Sequence, residues 1–324
     1  MAKVVITGGA GFIGSYISRK LVDMGHTPII LDIFAQYISP LDSTYVETRS
    51  SRFNDIIDKV IIERGNVENY STVEKVLRKH LPSYIIHLAA LPLARLQNMN
   101  VEEAMGGTVK STSYILQSIN NLIQEGKLSE FKKFIYTSSS MVYGEFEKEV
   151  VGEHDSTRPV NIYGTMKLAG EFVTSGLCKT YKLPYNIIRP SAVYGPTDIN
   201  RRVSQIFVDN ALNGKDLIVE GDETDKLDFS YVEDVADGFI LSTFSNVTNE
   251  IFNITGGDAR SLLEYAQIVK QHIPEAVIVK KSRDKNVPKR GTLDISKAKK
   301  LLKYKPKYNI EKGISEYIKD KKAN

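Results

Sequence analysis

Two side chains spaced for acid–base chemistry lie near the middle of the chain. Tyr163 and Lys167 are four residues apart, so on a helix they share one face. A tyrosine can take up and return a proton near neutral pH when a nearby cation lowers its pKa. The same Y-x-x-x-K spacing also begins at Tyr16, Tyr308 and Tyr317, so the spacing alone is weak evidence. Tyr163 is favoured because it begins a predicted helix that follows a serine-rich strand end.

The serines lie in the stretch TSSSMVYG, residues 137–144, directly after the apolar run FIY. The pattern predicts the end of a strand, and the ends of parallel strands are where such sheets bind ligands. We predict that Ser139 contacts the substrate, with Ser138 and Ser140 beside it in the site. A polar turn without function is the alternative interpretation.

A glycine-rich turn joins the first predicted strand to the first predicted helix. In VVITGGAGFIG, Gly9, Gly11 and Gly14 fit G-x-G-x-x-G. Gly8, Gly11 and Gly14 fit the related pattern G-x-x-G-x-x-G. Glycine allows a tight turn and lets a pyrophosphate approach the backbone and the helix N-terminus. Asp32 follows Gly8 by 24 residues, which suits a ribose-binding carboxylate. Because its charge would repel the 2′-phosphate of NADP, the pattern predicts NAD.

The elements that would position these residues alternate between strand and helix. The predicted strands are residues 4–7, 28–32, 60–66, 84–90, 132–139, 185–190 and 251–255, and the clearest helices are 13–24, 71–80 and 101–124. Strands alternating with helices predict an α/β fold with a doubly wound parallel sheet (Rossmann). Regularity weakens after residue 190. We therefore predict an NAD-binding domain of residues 1–190 plus 230–255, and a smaller C-terminal α/β substrate-binding region of 191–229 plus 256–324.

Composition narrows the class of protein. The 324 residues are 42% hydrophobic and 25% charged, which is ordinary for a soluble globular protein. No apolar run approaches the roughly 20 residues that span a bilayer, and the N-terminus enters a strand without a signal peptide. A single cysteine, Cys178, excludes an internal disulfide framework. We therefore expect a cytoplasmic protein without a membrane partner.

Charge is distributed unevenly along the chain. The net charge is +4, yet residues 280–324 alone carry 16 Lys/Arg and 5 Asp/Glu. A basic C-terminal portion suits an anionic ligand or a nucleic-acid surface. A solvated lysine-rich face is the simpler interpretation, since charge runs alone rarely specify a partner. We predict no nucleic-acid partner.

Several motifs together resemble a known family. TGGAGFIG, Asp32, HLAA (87–90), SSSMVYG, YGTMK (163–167) and RPSAVYGP (189–196) occur in the order and at the distances of the extended short-chain dehydrogenase/reductase family. Within it, the chain is most similar to the nucleotide-sugar epimerase/dehydratase group, especially its NAD-dependent UDP-sugar 4-epimerases. Weaker matches at 227–238 and 290–302 extend the resemblance over nearly the whole chain.

The resemblance implies a role for each matching residue. Ser139 would bind the sugar hydroxyl that is oxidised, Tyr163 would be the base, and Lys167 would bind the nicotinamide ribose and lower the pKa of Tyr163. His87 is expected to pack rather than to react, and no metal site is expected. The NAD-binding residues would be Gly8, Gly11, Phe12, Ile13, Gly14, Asp32, Asn66, Val67, Leu88, Ala89, Ala90, Tyr163 and Lys167.

The residues after Ser139 help to select the reaction. Members that resemble dehydratases carry an Asp-Glu pair there, and decarboxylase-like members carry a glutamate, whereas this chain has Ser140 and Met141. Neither can act as a general acid or base at neutral pH. The resemblance therefore implies reversible oxidation at C4: Tyr163 takes the hydroxyl proton, and C4 passes a hydride to NAD and takes it back on its other face.

We accordingly predict an NAD-dependent nucleotide-sugar 4-epimerase that acts through a transient 4-keto sugar. The alternative is a C4 dehydrogenase or reductase of the same family with net NAD(H) turnover. A non-catalytic relative that binds NAD or nucleic acid is a third hypothesis, which the intact Ser139, Tyr163 and Lys167 set disfavours.

Three positions depart from the family pattern. Ala104 and Ala192 replace asparagines, and Leu227 replaces an arginine that normally contacts the substrate diphosphate. Another arginine would then have to supply the positive charge that Leu227 lacks, and the candidates are Arg95, Arg201, Arg202 and Arg290. For each of them, a surface salt bridge or a solvated side chain is the alternative role. The resemblance also implies a homodimer, formed through the helices near 101–124 and 161–179.

Overall fold

A seven-stranded parallel sheet forms the centre of the molecule. The computed structural model describes residues 1–35, 50–90, 101–221, 225–282 and 288–323, so Arg95 lies outside the described residues. The strands run in the order β7-β6-β5-β4-β1-β2-β3. This is the predicted doubly wound arrangement, and it is confirmed. The strands are β1 (Lys3–Thr7), β2 (Thr27–Asp32), β3 (Ile61–Arg64), β4 (Tyr84–His87), β5 (Lys133–Thr137), β6 (Tyr185–Pro190) and β7 (Glu250–Ile254).

Helices connect the strands and extend into the C-terminal region. Those with bounds in the described residues are α1 (Phe12–Asp23), α2 (Tyr70–His80), α3 (Val101–Met105), α4 (Ser111–Gln124), α5 (Ile162–Tyr181), α6 (Val203–Leu212), α7 (Val232–Phe244), α8 (Leu262–His272), α9 (Ser296–Leu302) and α10 (Ile310–Ala323). Among the described residues, no helix is long and apolar enough to cross a membrane.

Two apolar layers cover the two faces of the sheet. On one face, Ile17 of α1 and Phe239 of α7 belong to a buried cluster with strand residues such as Ile6. On the other face, the cluster contains Leu77 of α2 and Leu116 of α4. Because β1 lies between β2 and β4, the chain leaves β1 and β4 in opposite directions. That divergence opens a crevice at the strand ends, where doubly wound sheets bind ligands.

Two elements differ from the sequence prediction near this crevice. The strand predicted over 84–90 ends at His87, because its partner β1 ends at Thr7, opposite His87, and the chain of β1 then enters the glycine turn. The Leu88 amide donates to the Thr7 carbonyl (3.0 Å) and the Ala89 amide to the Thr7 hydroxyl (3.3 Å). The helical region predicted over 101–124 contains a π-helical turn at 106–110 between α3 and α4. Such turns occur frequently at functional sites.

The C-terminal residues contribute to two cores. Phe207 of α6, Tyr265 of α8 and Ile314 of α10 belong to a separate apolar cluster, distinct from the two that cover the sheet. By contrast, Ala298 and Leu302 of α9 are buried in the cluster that covers the sheet. The proposed division into two domains stays a prediction, and α9 is a C-terminal helix that packs into the core of the sheet.

Candidate active site

The glycine turn leaves its backbone open at the end of β1. Gly8 has φ +67°, and a Cβ atom there would lie 2.8 Å from backbone atoms of Ala89. A Cβ on Gly14 would lie 2.7 Å from backbone atoms of Gly9. Both distances are too short for any other residue type. The turn therefore forms a backbone cradle at the N-terminus of α1, and this cradle fits a pyrophosphate.

Asp32 is fixed beside this cradle at the end of β2. Its carboxylate accepts hydrogen bonds from the Ala10 amide (3.0 Å) and the Phe34 amide (2.7 Å). It is 8% exposed and lines the cavity described below. A carboxylate has about four acceptor positions, so it can still accept from the hydroxyls of a ribose.

Four residues from two segments complete this half of the site. Asn66 is exposed and its side-chain oxygen accepts from the Glu68 amide (2.9 Å), which fixes the turn after β3. Val67 is buried beside it. Glu68 and Gly107 also line the cavity, although the sequence analysis did not select them. Burial raises the pKa of Glu68. No local motif points to either residue, since they reach the cavity from a turn and from the π-helical segment.

Tyr163, Ser139 and Lys167 come together at the end of β5. The Asn161 side chain accepts from the Gly164 amide (2.9 Å) and caps α5, which places Tyr163 in the first turn. The Ser139 hydroxyl hydrogen-bonds to the Tyr163 phenol. Lys167 is 3% exposed, and its ammonium donates to the Thr137 carbonyl (2.8 Å). The Lys167 nitrogen lies 5.7 Å from the centre of the Tyr163 ring.

Burial and charge act in opposite directions on Tyr163. Burial raises the pKa of the phenol, while the charge of Arg202, the hydrogen bond from Ser139 and the charge of Arg290 lower it. From the sequence, both arginines are predicted only as phosphate contacts. Burial also lowers the pKa of Lys167 to about 7, and the charge of Glu171 opposes that change.

The neighbouring serines have different surroundings from Ser139. The Ser138 hydroxyl donates to the Glu171 carboxylate, behind the cavity wall. Ser140 does not line the cavity among the described residues, and its hydroxyl donates to the Ser191 hydroxyl (3.0 Å). The Arg290 guanidinium donates to Ser140 over 3.4 Å.

The arginine-rich segment near residue 200 lines the same cavity as the glycine turn. Arg202 contacts the Val193 carbonyl and the Asp198 carboxylate, each over 3.4 Å. Arg201 is exposed and lines the same cavity. Ala192, which has φ +37°, and Leu227 line it as well. Two of the three departures from the family pattern therefore lie at the cavity wall, and the third, Ala104, is buried in α3.

One cavity of about 460 Å³ joins both halves of the site. Its volume lies within the roughly 300–1,000 Å³ of small-molecule sites. Sequence reasoning also missed Asn200 and Ser204 here, because they follow the irregular stretch after residue 190. The predicted residues that line it are Gly8, Gly11, Phe12, Ile13, Gly14, Asp32, Asn66, Val67, Leu88, Ala89, Ala90, Ser138, Ser139, Tyr163, Lys167, Arg201, Arg202 and Arg290.

The other three Y-x-x-x-K tyrosines lie outside this cavity. Tyr16 donates to the Pro196 carbonyl (3.0 Å), and Tyr317 is fully buried in the C-terminal core. Tyr308 stacks on Tyr231 with ring centres 4.1 Å apart. Position in the fold therefore distinguishes Tyr163 from the other tyrosines with the Y-x-x-x-K spacing.

Comparison with known proteins gives consistent matches. The family model described as "NAD dependent epimerase/dehydratase family" matches residues 4–255. A Methanocaldococcus jannaschii protein, provisionally named a UDP-glucose 4-epimerase, is 30% identical, with 99% of each chain covered. The Bacillus cereus UDP-glucuronic acid 4-epimerase, solved with UDP-glucuronic acid and NAD, is 25% identical, with a TM-score of 0.87 over 99% of each chain. The Thermotoga maritima UDP-glucose 4-epimerase, solved with UDP-glucose, is 26% identical, with a TM-score of 0.86 over 99% of each chain.

Proposed function

The chain belongs to the NAD-dependent epimerase/dehydratase family, and we propose that it is an NAD-dependent 4-epimerase of UDP-sugars. The observation that carries this proposal is the composition of the cavity around Tyr163. Hydroxyl, phenol, ammonium and guanidinium groups surround that end. Among the described residues that line the cavity, the carboxylates are Asp32 and Glu68, which follow β2 and β3.

NAD would be held by the glycine cradle, by Asp32 at the adenosine ribose and by the turn of Asn66 and Val67. Leu88, which follows β4, would line the cofactor together with the alanines after it. When bound, NAD accepts a hydride from C4 of the sugar and returns it. The buried Lys167 would bind the nicotinamide ribose, as the family pattern implies.

Proton transfer at the sugar would be carried out by Tyr163. Its phenolate takes the proton of the C4 hydroxyl as that carbon is oxidised, and the phenol returns it when the 4-keto sugar is reduced. Ser139 hydrogen-bonds to the phenol and can also reach the same sugar oxygen. The charges of Arg202 and Arg290 favour the phenolate and counteract the effect of burial.

Dehydration would need a second acid/base group, and the positions that supply it in dehydratases are Ser140 and Met141 here. Both are buried, at 2% and 5% exposure, and the Ser140 hydroxyl is bonded to Ser191. Curated relatives do include dehydratases and a decarboxylase. The residues after Ser139 therefore support epimerisation over those reactions.

A second candidate is a C4 dehydrogenase or reductase with net NAD(H) turnover. Ala104, Ala192 and Leu227 favour it, because they depart from the family pattern, and Leu227 replaces the arginine that normally contacts the substrate diphosphate. The two candidates differ in their cofactor balance. A net oxidoreductase changes the absorbance of NADH stoichiometrically, and an epimerase at steady state does not.

The test is to incubate the protein with UDP-hexoses, UDP-uronic acids and GDP-sugars and to follow C4 isomers by NMR. We expect interconversion of at least one UDP-sugar pair without net NADH formation. Tyr163→Phe should lower the rate by about 10²-fold or more, since it removes the acid/base group. Tyr308→Phe is the matched control, because it changes another Y-x-x-x-K tyrosine that lies outside the cavity. No interconversion in any sugar, or equal rates in both variants, would refute the proposal.

We also propose a homodimer that uses the exposed sides of α3 and α5, which pack against each other. Val101, Met105 and Phe172 are 60%, 46% and 67% exposed there, and such exposure of large apolar groups is typical of association surfaces. The division into an NAD-binding domain and a substrate-binding region remains part of this proposal. So does a cytoplasmic location, where the lone buried Cys178 would stay reduced.

A further inference from the structure

A buried ion pair lies directly behind the reactive side chains. Glu171 and Arg189 are 4% and 3% exposed, and neither lines the cavity. The Arg189 guanidinium donates from Nε to Oε1 (2.8 Å) and from Nη2 to Oε2 (2.6 Å) of Glu171. Glu171 follows Lys167 by one helical turn, as Lys167 follows Tyr163, so the three residues form one column on α5.

The pair is bonded to the strand end that carries Ser139. The Ser138 hydroxyl donates to Glu171, and the Ser138 amide donates to the Ile188 carbonyl (2.8 Å). These two bonds fix Ser138 from both its side chain and its backbone. Since Ser139 is the next residue, its position over the cavity depends on the same contacts.

The outer side of the pair connects to more distant elements. Arg189 donates to the Tyr143 hydroxyl (2.9 Å), and that hydroxyl donates to the Asn253 side-chain oxygen (2.8 Å). The Arg189 guanidinium also lies 4.8 Å from the centre of the Tyr143 ring. Tyr143 therefore supports the pair without contacting Lys167 or Ser139.

Lys167 is surrounded by groups that cannot neutralise its charge, apart from Glu171. From β5, the Thr137 carbonyl accepts from its ammonium and the Tyr136 ring centre lies 5.7 Å away. From β4, burial and, to a smaller extent, the Lys167 charge lower the pKa of the His87 imidazole to about 3, so His87 stays neutral. On α5, Tyr163 is the neighbour on one side and Glu171 the neighbour on the other. Of the paired charges, Glu171 is the one that acts on Lys167 and raises its pKa.

We propose that Glu171 is a positioning residue of the active site, which fixes Ser138 beside Ser139 and holds a negative charge one helical turn from Lys167. The expected effect of Glu171 on catalysis rests on the proposed function. Its expected effects on Ser138 and Lys167 do not. A purely structural ion pair would stabilise the fold without setting the charge of Lys167.

The direct test is the titration of Lys167, followed by NMR of protein that carries ¹³C at the lysine Cε atoms. Lys167→Met identifies the signal. We expect Glu171→Gln to lower the titration midpoint by about one pH unit or more, a tenfold change in the proton-binding constant. Glu171→Asp, which keeps the charge, should give a smaller change. An unchanged midpoint in Glu171→Gln would overturn the proposal.

Two further variants separate charge from structure. Tyr143→Phe removes an outer bond of the same network and should leave the Lys167 midpoint within about 0.3 pH units, since it changes no charge near that amine. If Tyr143→Phe moves the midpoint as much as Glu171→Gln, the effect is structural and the proposal fails. Glu171→Gln combined with Arg189→Met also removes the guanidinium that Glu171 pairs with, so Arg189 is not left as an unpaired buried charge, and the Lys167 midpoint should fall in this variant as well.

The catalytic consequence is read from the rate of C4 interconversion over pH. In Glu171→Gln, the alkaline limb of kcat should move to lower pH with the Lys167 midpoint. An unmoved limb would remove the link to catalysis. The titration needs no turnover, so a wild-type protein that converts no sugar would refute the proposed function while the Lys167 measurement still decides the role of Glu171.

Discussion

At the scale of single residues, the ionisation of Tyr163 determines what the site can do. A buried phenol resists becoming a phenolate, and the structure counters this with two guanidinium groups and the Ser139 hydrogen bond. Arg202 is the strongest of these influences. An arginine that looks like a phosphate contact in the sequence thus has a second effect, on the base.

We predict that Arg202→Gln moves the acidic limb of kcat to higher pH by about one unit, as expected for loss of a nearby opposite charge. The limb moves to higher pH because, without the cation, the Tyr163 phenol keeps its proton to higher pH, and the active phenolate forms only there. The measurement is the initial rate of C4 interconversion over pH. Arg201→Gln is the matched control, since Arg201 lines the cavity without lowering the pKa of Tyr163. Identical limbs in both variants would contradict this account of the base.

At this scale the sequence predicted the identities of the main groups but not their partners. Gly8, Asp32 and Tyr163 are recognisable because their chemistry is tied to local spacing and to strand ends. Partners such as Glu171 and Arg290 come from distant points of the chain, and no spacing rule connects them to Ser138 or Ser140. Their contacts exist only once the sheet has formed.

At the scale of elements, strand ends carry the site and their irregularities shape it. The strand predicted over 84–90 ends after His87 because its partner β1 ends at Thr7. A continuous apolar run cannot reveal where its partner strand ends, since Leu88 and the alanines after it also fit a buried strand. The residues that leave the ladder are those that line the cavity.

A buried carboxylate ties two C-terminal segments to the cavity wall. Asp228 is 1% exposed and accepts from the Thr255 hydroxyl (3.0 Å), the Gly257 amide (3.1 Å) and the Leu293 amide (3.0 Å). It follows Leu227, which lines the cavity. The carboxylate therefore holds the substrate side of the site against the end of the central sheet.

We predict that Asp228→Asn lowers the free energy of unfolding by about 2 kcal/mol. The asparagine amide has one acceptor oxygen where the carboxylate has two, so at least one buried donor loses its hydrogen-bond acceptor. Urea denaturation measures the change. Asp258→Asn is the control, since Asp258 is exposed and bonds only at the surface, where ion pairs contribute little. Equal stabilities of the two variants would show that Asp228 does not link these elements.

At the scale of the whole molecule, lysines of the basic C-terminal portion form ion pairs with carboxylates from the rest of the chain. Lys297 pairs with Glu250 (2.6 Å), Lys307 with Asp237 (2.8 Å) and Lys321 with Asp209 (2.8 Å). The basic C-terminal portion is thus bonded to the acidic remainder of the chain. Composition could register the imbalance but could not locate the acids that face it.

The proposed dimer gives a prediction at the same scale. Phe172→Glu places a charge on the exposed apolar side of α5, so we expect the protein to become monomeric. Multi-angle light scattering after gel filtration measures the mass. Val277→Glu is the control, because Val277 is also exposed (53%) but lies in the C-terminal region. A dimer that persists in Phe172→Glu, or a wild-type monomer, would rule out this face.

In the proposed reaction, the hydrogen removed from C4 of a UDP-sugar is the one returned to its other face. This is measured with a UDP-sugar that carries deuterium at C4, converted in ordinary water and analysed by NMR and mass spectrometry. Because Tyr163 exchanges only the hydroxyl proton, we expect that the C4 epimer keeps its deuterium and that no solvent hydrogen enters the ring. Loss of deuterium from C4, or solvent hydrogen at a ring carbon, would contradict it.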